Sequence, residues 1–248
     1  MKFKSMQKKW LAALIVGLVG MMVFVVACGS DTTTTPRAPA APAPTAAPKK
    51  VVDTSNQPKH GGVLRYALNL NCKTLDPAYA QSTCYKDFSH ANFNSVLDTD
   101  DQFRLQSELV RSWSIDGSGK TVIFNIVQGA RFHDGSNVTA QAVKFHFDRM
   151  MDDAVGSPNR GDVKSINSTS LIDDYTMALH LDYPDRALLA TLAGGYPGVV
   201  ESPTGVLDHD SYDDVLGNYG RAPVGSGPFK IKLFTPDVRI VLERNDDY

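Results

Sequence analysis

The forty residues from Glu108 to Phe147 restrict the fold more than any other stretch, because three local signals follow one another there in a fixed order. A turn at Asp116 to Gly119 leads into a strand at Thr121 to Val127. Its Val122, Phe124 and Ile126 share one face, at the period of two that a half-buried strand requires. A second turn at His133-Asp134-Gly135 precedes Thr139, whose hydroxyl can accept from the free amides at a helix start. Val143, Phe147 and Met150 then recur on one side of that helix. A hairpin, a strand and a capped helix in this order make a scaffold with no nucleophile or ligand cluster of its own, so its meaning rests on what flanks it.

Before it lies an export signal. Lys2, Lys4, Lys8 and Lys9 form a basic start, and Trp10 to Ala27 is an apolar run of 18 residues without a charge. That length also reaches the lower limit for a membrane-spanning helix, so an uncleaved signal anchor is the competing reading. The segment from Ser30 to Pro58 has four consecutive threonines, six prolines and many alanines. Such a composition buries too little apolar surface to offset its ordering entropy, and an extended disordered tether is expected over 28–58. Removing the four leading lysines from 25 basic residues leaves 21 against 27 acidic ones, a net of −6 that gives no basic footprint for nucleic acid.

The remaining 190 or so residues are enough for one large domain or two lobes. Val63 to Leu68 reads as a strand, Thr74 to Pro77 as a turn, and Tyr85 to Leu97 as a weakly amphipathic helix. After the capped helix come a loop at Gly156 to Asn159 and two strand-like runs, Thr169 to Ile172 and Tyr175 to Leu181, joined at Asp173-Asp174. Arg186 to Leu192 is a short helix stopped by Gly194-Gly195, a helix-like stretch lies near Tyr212 to Leu216, and Lys230 to Phe234 and Val238 to Glu243 are strands. Interleaved strands, hairpins and helices make the class mixed α/β.

Cys72 and Cys84 are 12 residues apart in a compartment that permits disulfides, and a bond between them would add roughly 3 kcal/mol by the chain-entropy estimate. Two small buried thiols are the alternative. His133-Asp134 invites a catalytic dyad reading, but neighbours on a tight turn seldom face each other, and a turn in which Asp134 binds backbone amides is preferred. His146 and His180 read as surface or satisfied core groups; no metal site, cofactor or catalytic residue is expected. Gly225-Ser-Gly227 lacks the lysine of a phosphate loop and reads as a turn into the last hairpin.

Several motifs in series carry a resemblance. The order Gly61-Gly-Val-Leu-Arg65, Leu75-Asp76-Pro77, Glu108-Leu-Val-Arg-Ser-Trp113, Phe132-His-Asp-Gly135, Thr139-Ala-Gln-Ala-Val-Lys-Phe145, Gly225-Ser-Gly-Pro-Phe229 and Ile240-Val-Leu-Glu-Arg-Asn245 resembles solute-binding protein family 5 of ABC importers. This is the group of oligopeptide-, dipeptide- and nickel-binding receptors. Val25-Val-Ala-Cys28-Gly29 is similar to a bacterial lipobox, which implies a signal peptide over 1–27 and lipidation at Cys28. The departures are a less acidic start to the Trp113 hairpin and Phe229 where the family usually has tyrosine; both conserve shape. The family continues beyond the segment around Leu242 to Tyr248 into a third domain, which implies a fragment or truncated frame that stops before the second lobe.

The resemblance implies a type II periplasmic-binding-protein-like α/β fold, with 59–100 and 201–248 in a partial first lobe and 101–200 as the inserted small domain. It also implies a cleft lined by Tyr79, Gln81, Thr83 and Tyr85, by Asn159 and Arg160, and by Gly195 and Tyr196. The expected function is an extracytoplasmic receptor, anchored to the outer face of the cytoplasmic membrane, that captures a peptide or similar solute and hands it to ABC permease subunits without catalysis. A sensor or adhesin that reuses the fold, and a hydrolase built on His133 and Asp134, are the alternatives.

Overall fold

The structure is a computed structural model that describes residues 61–67, 72–79, 83–193, 195–209, 212–213 and 217–248. The chain divides after Gly61, and the unit described is Gly62–Tyr248. The apolar run at 10–27, the tether and Cys28 lie outside the described residues, among which no helix is long and apolar enough to cross a membrane.

Period-two alternation decides the main sheet. Its strands are β3 (Val110–Ile115), β4 (Thr121–Ile126), β5 (Ile166–Asp173) and β6 (Thr176–Leu181), in the order β3-β4-β6-β5 and antiparallel throughout. On the central β4, Val122, Phe124 and Ile126 are buried while Thr121, Ile123 and Asn125 are partly open, as the alternation requires. Phe124 stands opposite Trp113 on one side and Met177 on the other, so one register fixes three strands. The turns match their sequence signals: Asp116 Oδ1 accepts from the amides of Lys120 and Thr121, and Gly119 takes a positive φ of 71° that a side chain would strain.

The first helix, α1, spans Thr83–Asn92, and α2 spans Ala140–Met151. Thr139 caps α2 through its side-chain oxygen, which accepts from the Ala142 amide at 3.4 Å. The apolar stripe of α2, Val143, Phe147 and Met150, is wholly buried against the sheet in a cluster with Phe124, Met177 and Leu179. Each such side chain contributes roughly 1.5–3 kcal/mol on leaving water. The short helices α3 (Leu188–Leu192) and α4 (Pro203–Asp208) close the remaining gaps.

A second cluster gathers Cys72, Leu75, Tyr85, Phe88, Phe93 and Val199 against Ile231, Phe234 and Ile240 of the β7 (Phe229–Thr235) and β8 (Arg239–Arg244) hairpin. The turn before it is tied down by close backbone approach. Gly227 donates its amide to Asn92 O at 3.0 Å, and a Cβ at Gly225 or Gly227 would overlap the Asn92 backbone. A short pair unforeseen in the sequence, β1 (Leu97–Thr99) and β2 (Leu105–Ser107), folds antiparallel beside Glu108.

One expected strand does not form as such. Residues 63–67 have no ladder, and Val63, Leu64 and Tyr66 are 85%, 93% and 73% exposed. Apolar alternation makes a strand only beside a neighbour to pair with, and no described strand takes that place. The helix expected over 85–97 is shorter, because the chain leaves it at Phe93 to bond Asn94 O to Val200 N and Val96 N to Gly198 O.

Candidate functional site

Three short 3-10 segments from distant parts of the chain pack on one another: Pro77–Tyr79, Pro158–Val163 and Tyr196–Gly198. Asp76 starts the first, with its Oδ1 accepting from the Ala78 amide at 2.9 Å. Ser157 caps the second by accepting from the Asn159 amide at 3.2 Å, and its hydroxyl donates to Ala78 O at 2.7 Å, which pins the second turn to the first. The third is built from Gly195, Pro197 and Gly198; a Cβ on Gly198 would run into the Leu192 carbonyl, so only glycine fits there.

Beneath these turns lies a network of four ionisable side chains with no access to solvent. Arg149, one turn of α2 beyond His146, is 0% exposed and forks onto Asp76, Nη1 to Oδ1 at 2.9 Å and Nη2 to Oδ2 at 2.7 Å. Its Nη1 also reaches Glu201 Oε1 at 3.3 Å, its Nε donates to Tyr212 O at 2.8 Å, and its guanidinium lies 6.0 Å from the Tyr219 ring centre. Glu201 Oε2 is 2.6 Å from His146 Nδ1, and His146 Nε2 is 3.0 Å from Pro197 O.

The groups shift in ways the geometry explains. Burial alone would raise Glu201, but His146 and Arg149 outweigh it and hold the carboxyl down at about 2. Burial is the largest influence on Asp76 and leaves its pKa raised, with Arg149 opposing it. Arg149 moves further up from its already high value, held charged by Asp76 and Glu201 against desolvation. These four groups join the first turn, α2 and the return after the third turn.

The residues expected to line a cleft fall as follows. Asn159, 6% exposed, and Arg160, exposed and paired with Asp153, stand on the second turn. Gly195 and Tyr196 are partly buried at the third, and Tyr79 is partly buried on the first, packed with Tyr212 against Ala78 and Val155. Tyr85 is 1% exposed and lies under Tyr196, ring centres 5.6 Å apart, within an aromatic group that includes Phe88 and Phe93. Gln81 and the side chain of Thr83 lie outside the described residues. Cys72 is buried and disulfide-bonded, and the side chain of Cys84 lies outside the described residues. A shallow surface depression of about 360 Å³ borders Arg160 together with Lys164, Asn167 and Asp182, away from the tyrosines.

His133 and Asp134 point to different partners. His133 Nε2 meets Gly227 O at 2.9 Å, while Asp134 accepts from the Ser136 amide and hydroxyl and from Ser202 Oγ at 2.5 Å. The pair therefore clamps the Gly225–Pro228 turn and the start of α4, and no nucleophile stands between the two side chains. His180 is bound to Ser170 Oγ at 2.8 Å on the sheet. Among the described residues no three His, Cys, Asp or Glu side chains gather in a way that could hold a metal.

Residues 104–248 match the sequence profile of the bacterial extracellular solute-binding proteins, family 5 Middle. The chain belongs to this family. Among its relatives is the glutathione-binding protein GsiB of Escherichia coli K12, 28% identical over 165 residues, a match that covers 66% of this chain and 31% of the relative. Among solved structures, the oligopeptide-binding protein AppA of Bacillus subtilis in complex with a nonapeptide superposes with a TM-score of 0.63 at 25% identity, covering 70% of this chain and 34% of that one. DppA of Helicobacter pylori, an ABC transporter-associated periplasmic binding protein in complex with the peptide STSA, superposes at 0.60 with 28% identity, over 71% of this chain and 37% of that one. The family 5 member described here thus spans about a third of the length of the relatives it matches, and its α/β fold is the corresponding part of a family 5 binding protein.

The buried quartet was not anticipated from the sequence. Its signal was His146, which falls between Val143 and Met150 on the apolar stripe of α2, since a polar group on a buried helix face requires buried partners.

Proposed function

We propose that this family 5 protein is the extracytoplasmic, lipid-anchored substrate-binding component of an ABC importer, which captures a peptide or similar small solute and delivers it to the permease. The observation that carries the reading is the convergence of the Pro77–Tyr79, Pro158–Val163 and Tyr196–Gly198 turns over the Asp76–Arg149–Glu201 network. A binding cleft needs a few polar and aromatic groups held in fixed positions beside exposed backbone. Tyr79, Asn159, Arg160 and Tyr196 are of that kind, each on a turn whose backbone is tied to a neighbour. Glutathione, a nonapeptide and the peptide STSA, the ligands named for three relatives, favour a peptide as the solute.

In this reading 1–27 is the signal peptide, Cys28 carries the lipid, 28–58 is the tether, 59–100 and 201–248 belong to the first lobe, and 101–200 form the inserted domain. Most of the large cluster on the main sheet falls within 101–200 and most of the smaller one under the β7–β8 hairpin falls outside it, which supports the last division, although Val96, Leu97 and Val199 cross it. Cys72 and Cys84 form the disulfide.

Thermal unfolding of the purified protein with glutathione and a pool of short peptides tests the reading. A ligand at a hundred times its Kd adds about 2.7 kcal/mol by mass action, which raises Tm by roughly 5–11 °C in a domain of this size. No shift with peptides, nickel chelates or oligosaccharides would overturn solute capture. Cys28→Ser should move the protein from the membrane fraction to the soluble one; retention on the membrane would reject the lipid anchor alone.

A further inference from the structure

We propose that His146 is a positioning residue for the ligand-facing turn: as an imidazolium it ties the Pro197 carbonyl to the Glu201 carboxylate and so fixes Tyr196, which a neutral ring cannot do. The assignment of Tyr196 as ligand-facing rests on the function proposed above.

Both partners of the ring accept hydrogen bonds: Glu201 Oε2 at 2.6 Å from Nδ1 and Pro197 O at 3.0 Å from Nε2. A neutral imidazole has one N–H, so it can satisfy only one of them; the imidazolium satisfies both. The ring is 1% exposed, which leaves no water to replace a lost donor. Charge leads to the same conclusion. Asp76 and Glu201 are balanced by Arg149 and His146 only while His146 is protonated, and a neutral ring would strand one negative charge in the interior.

The clamp acts at both ends of one short segment. Pro197 sits in the third turn beside Tyr196, and Glu201 lies where that segment re-enters the core. On its other side the same segment is bonded to 94–96, through Val96 N to Gly198 O at 2.7 Å and Val200 N to Asn94 O at 3.1 Å. His146 supplies the fastening on the α2 side, and Phe147 packs its ring 5.2 Å away from the imidazole.

The titratable and charged groups about His146 are Glu201, Arg149 one turn along α2, Asp76 beyond Arg149, and the phenols of Tyr85 and Tyr219, which burial keeps neutral far above their usual range. Desolvation pushes the His146 pKa down, but Glu201 and the Pro197 carbonyl outweigh it and the net direction is up. A histidine raised on folding stabilises the clamp fully below about pH 6.5, and that stabilisation is lost as pH climbs through the raised folded value.

Hydrogen exchange of the whole protein, read on peptides covering 195–201 with the β5–β6 hairpin as internal control, tests the proposal between pH 6 and 10. After correction for intrinsic exchange, the opening constant of 195–201 should rise by up to about tenfold per pH unit above pH 6.5, because one proton controls closure, while the hairpin stays flat. In His146→Gln, a neutral side chain, the segment should be open at every pH with no such slope. A segment that tracks the control, or a His146→Gln variant with the native profile, would overturn the proposal. So would a ring-nitrogen NMR spectrum of the unaltered protein with His146 as a single neutral tautomer at pH 6, an outcome that needs no variant to fold. A pH-linked segment in a protein that no peptide stabilises would sustain the clamp and reject the solute reading. Peptide stabilisation without that linkage would do the reverse.

Discussion

Replacing Arg149 with methionine isolates the most consequential interaction in the molecule. An unbranched apolar stem is kept while the guanidinium disappears, leaving Asp76 and Glu201, both 0% exposed, without their shared cation. At 2.7 Å and an effective dielectric of about 20, the gross attraction to Asp76 is about 6 kcal/mol. Part of that is returned because the ions need no longer be held out of water, and breaking one side of a buried pair costs about 3–5 kcal/mol net. The Tyr212 carbonyl, which accepts from Nε at 2.8 Å, is orphaned too, which places the effect in the upper part of that range. Against a domain stability of about 5–15 kcal/mol the loss is large, and Tm should fall by roughly 6–20 °C. Urea unfolding followed by circular dichroism measures it directly.

The pH dependence of that loss separates charge from shape. Burial already raises the Asp76 pKa, and without Arg149 it rises further. A carboxyl raised on folding is penalised as pH climbs from its unfolded value, so the deficit of Arg149→Met should be smaller near pH 4 than near pH 7. Adding Asp76→Asn to the variant should recover part of the loss, since a neutral amide is cheaper to bury than an unpaired carboxylate. A loss below about 1 kcal/mol, or a deficit that is flat with pH and unchanged by Asp76→Asn, would refute the reasoning.

Other expectations follow from the same contacts. Glu201, held at about 2 and unfolded at 4.5, contributes stability that is present above about pH 4.5 and lost as pH falls through about 2, on the order of 3 kcal/mol; acid titration of unfolding should be shallower in Glu201→Gln. Gly225→Ala drives a Cβ into the Asn92 carbonyl and the Phe93 ring, and should cost about 1–3 kcal/mol in chemical denaturation, whereas Gly117→Ala, which meets nothing, should stay near neutral. Thr139→Ala removes the cap of α2 and should cost about 0.5–2 kcal/mol, with faster amide exchange confined to the first turn of that helix.

What the sequence disclosed was local. Alternation at Val122, Phe124 and Ile126, the Thr139 cap and the turns at Asp116 and Asp173 located β4, α2 and both hairpins of the main sheet, with β5 starting three residues earlier than expected, because each is decided within a few neighbours. The buried quartet was hidden for the opposite reason: Arg149 meets Asp76 across 73 residues and Glu201 across 52, and no local pattern records such pairings. Residues 63–67 form no strand because apolar alternation names a face without naming the neighbour it needs. The His133-Asp134 pair, suggestive as letters, is settled by its partners, Gly227 on one side and Ser202 on the other. Turn or loop character at all three places was local, but the expectation that they face one cleft came from resemblance to family 5, and their meeting point depends on the Ser157 hydroxyl reaching Ala78 across 79 residues.

The central claim is that solute is captured where those turns meet, and NMR titration of the protein with the peptide that raises Tm most tests it most directly. Amide shifts should concentrate at Tyr79, Asn159, Arg160 and Tyr196 and saturate with the thermal stabilisation. Saturating shifts confined to the outer face of the β3–β5 sheet or the β7–β8 hairpin, with the three turns unmoved, would contradict it.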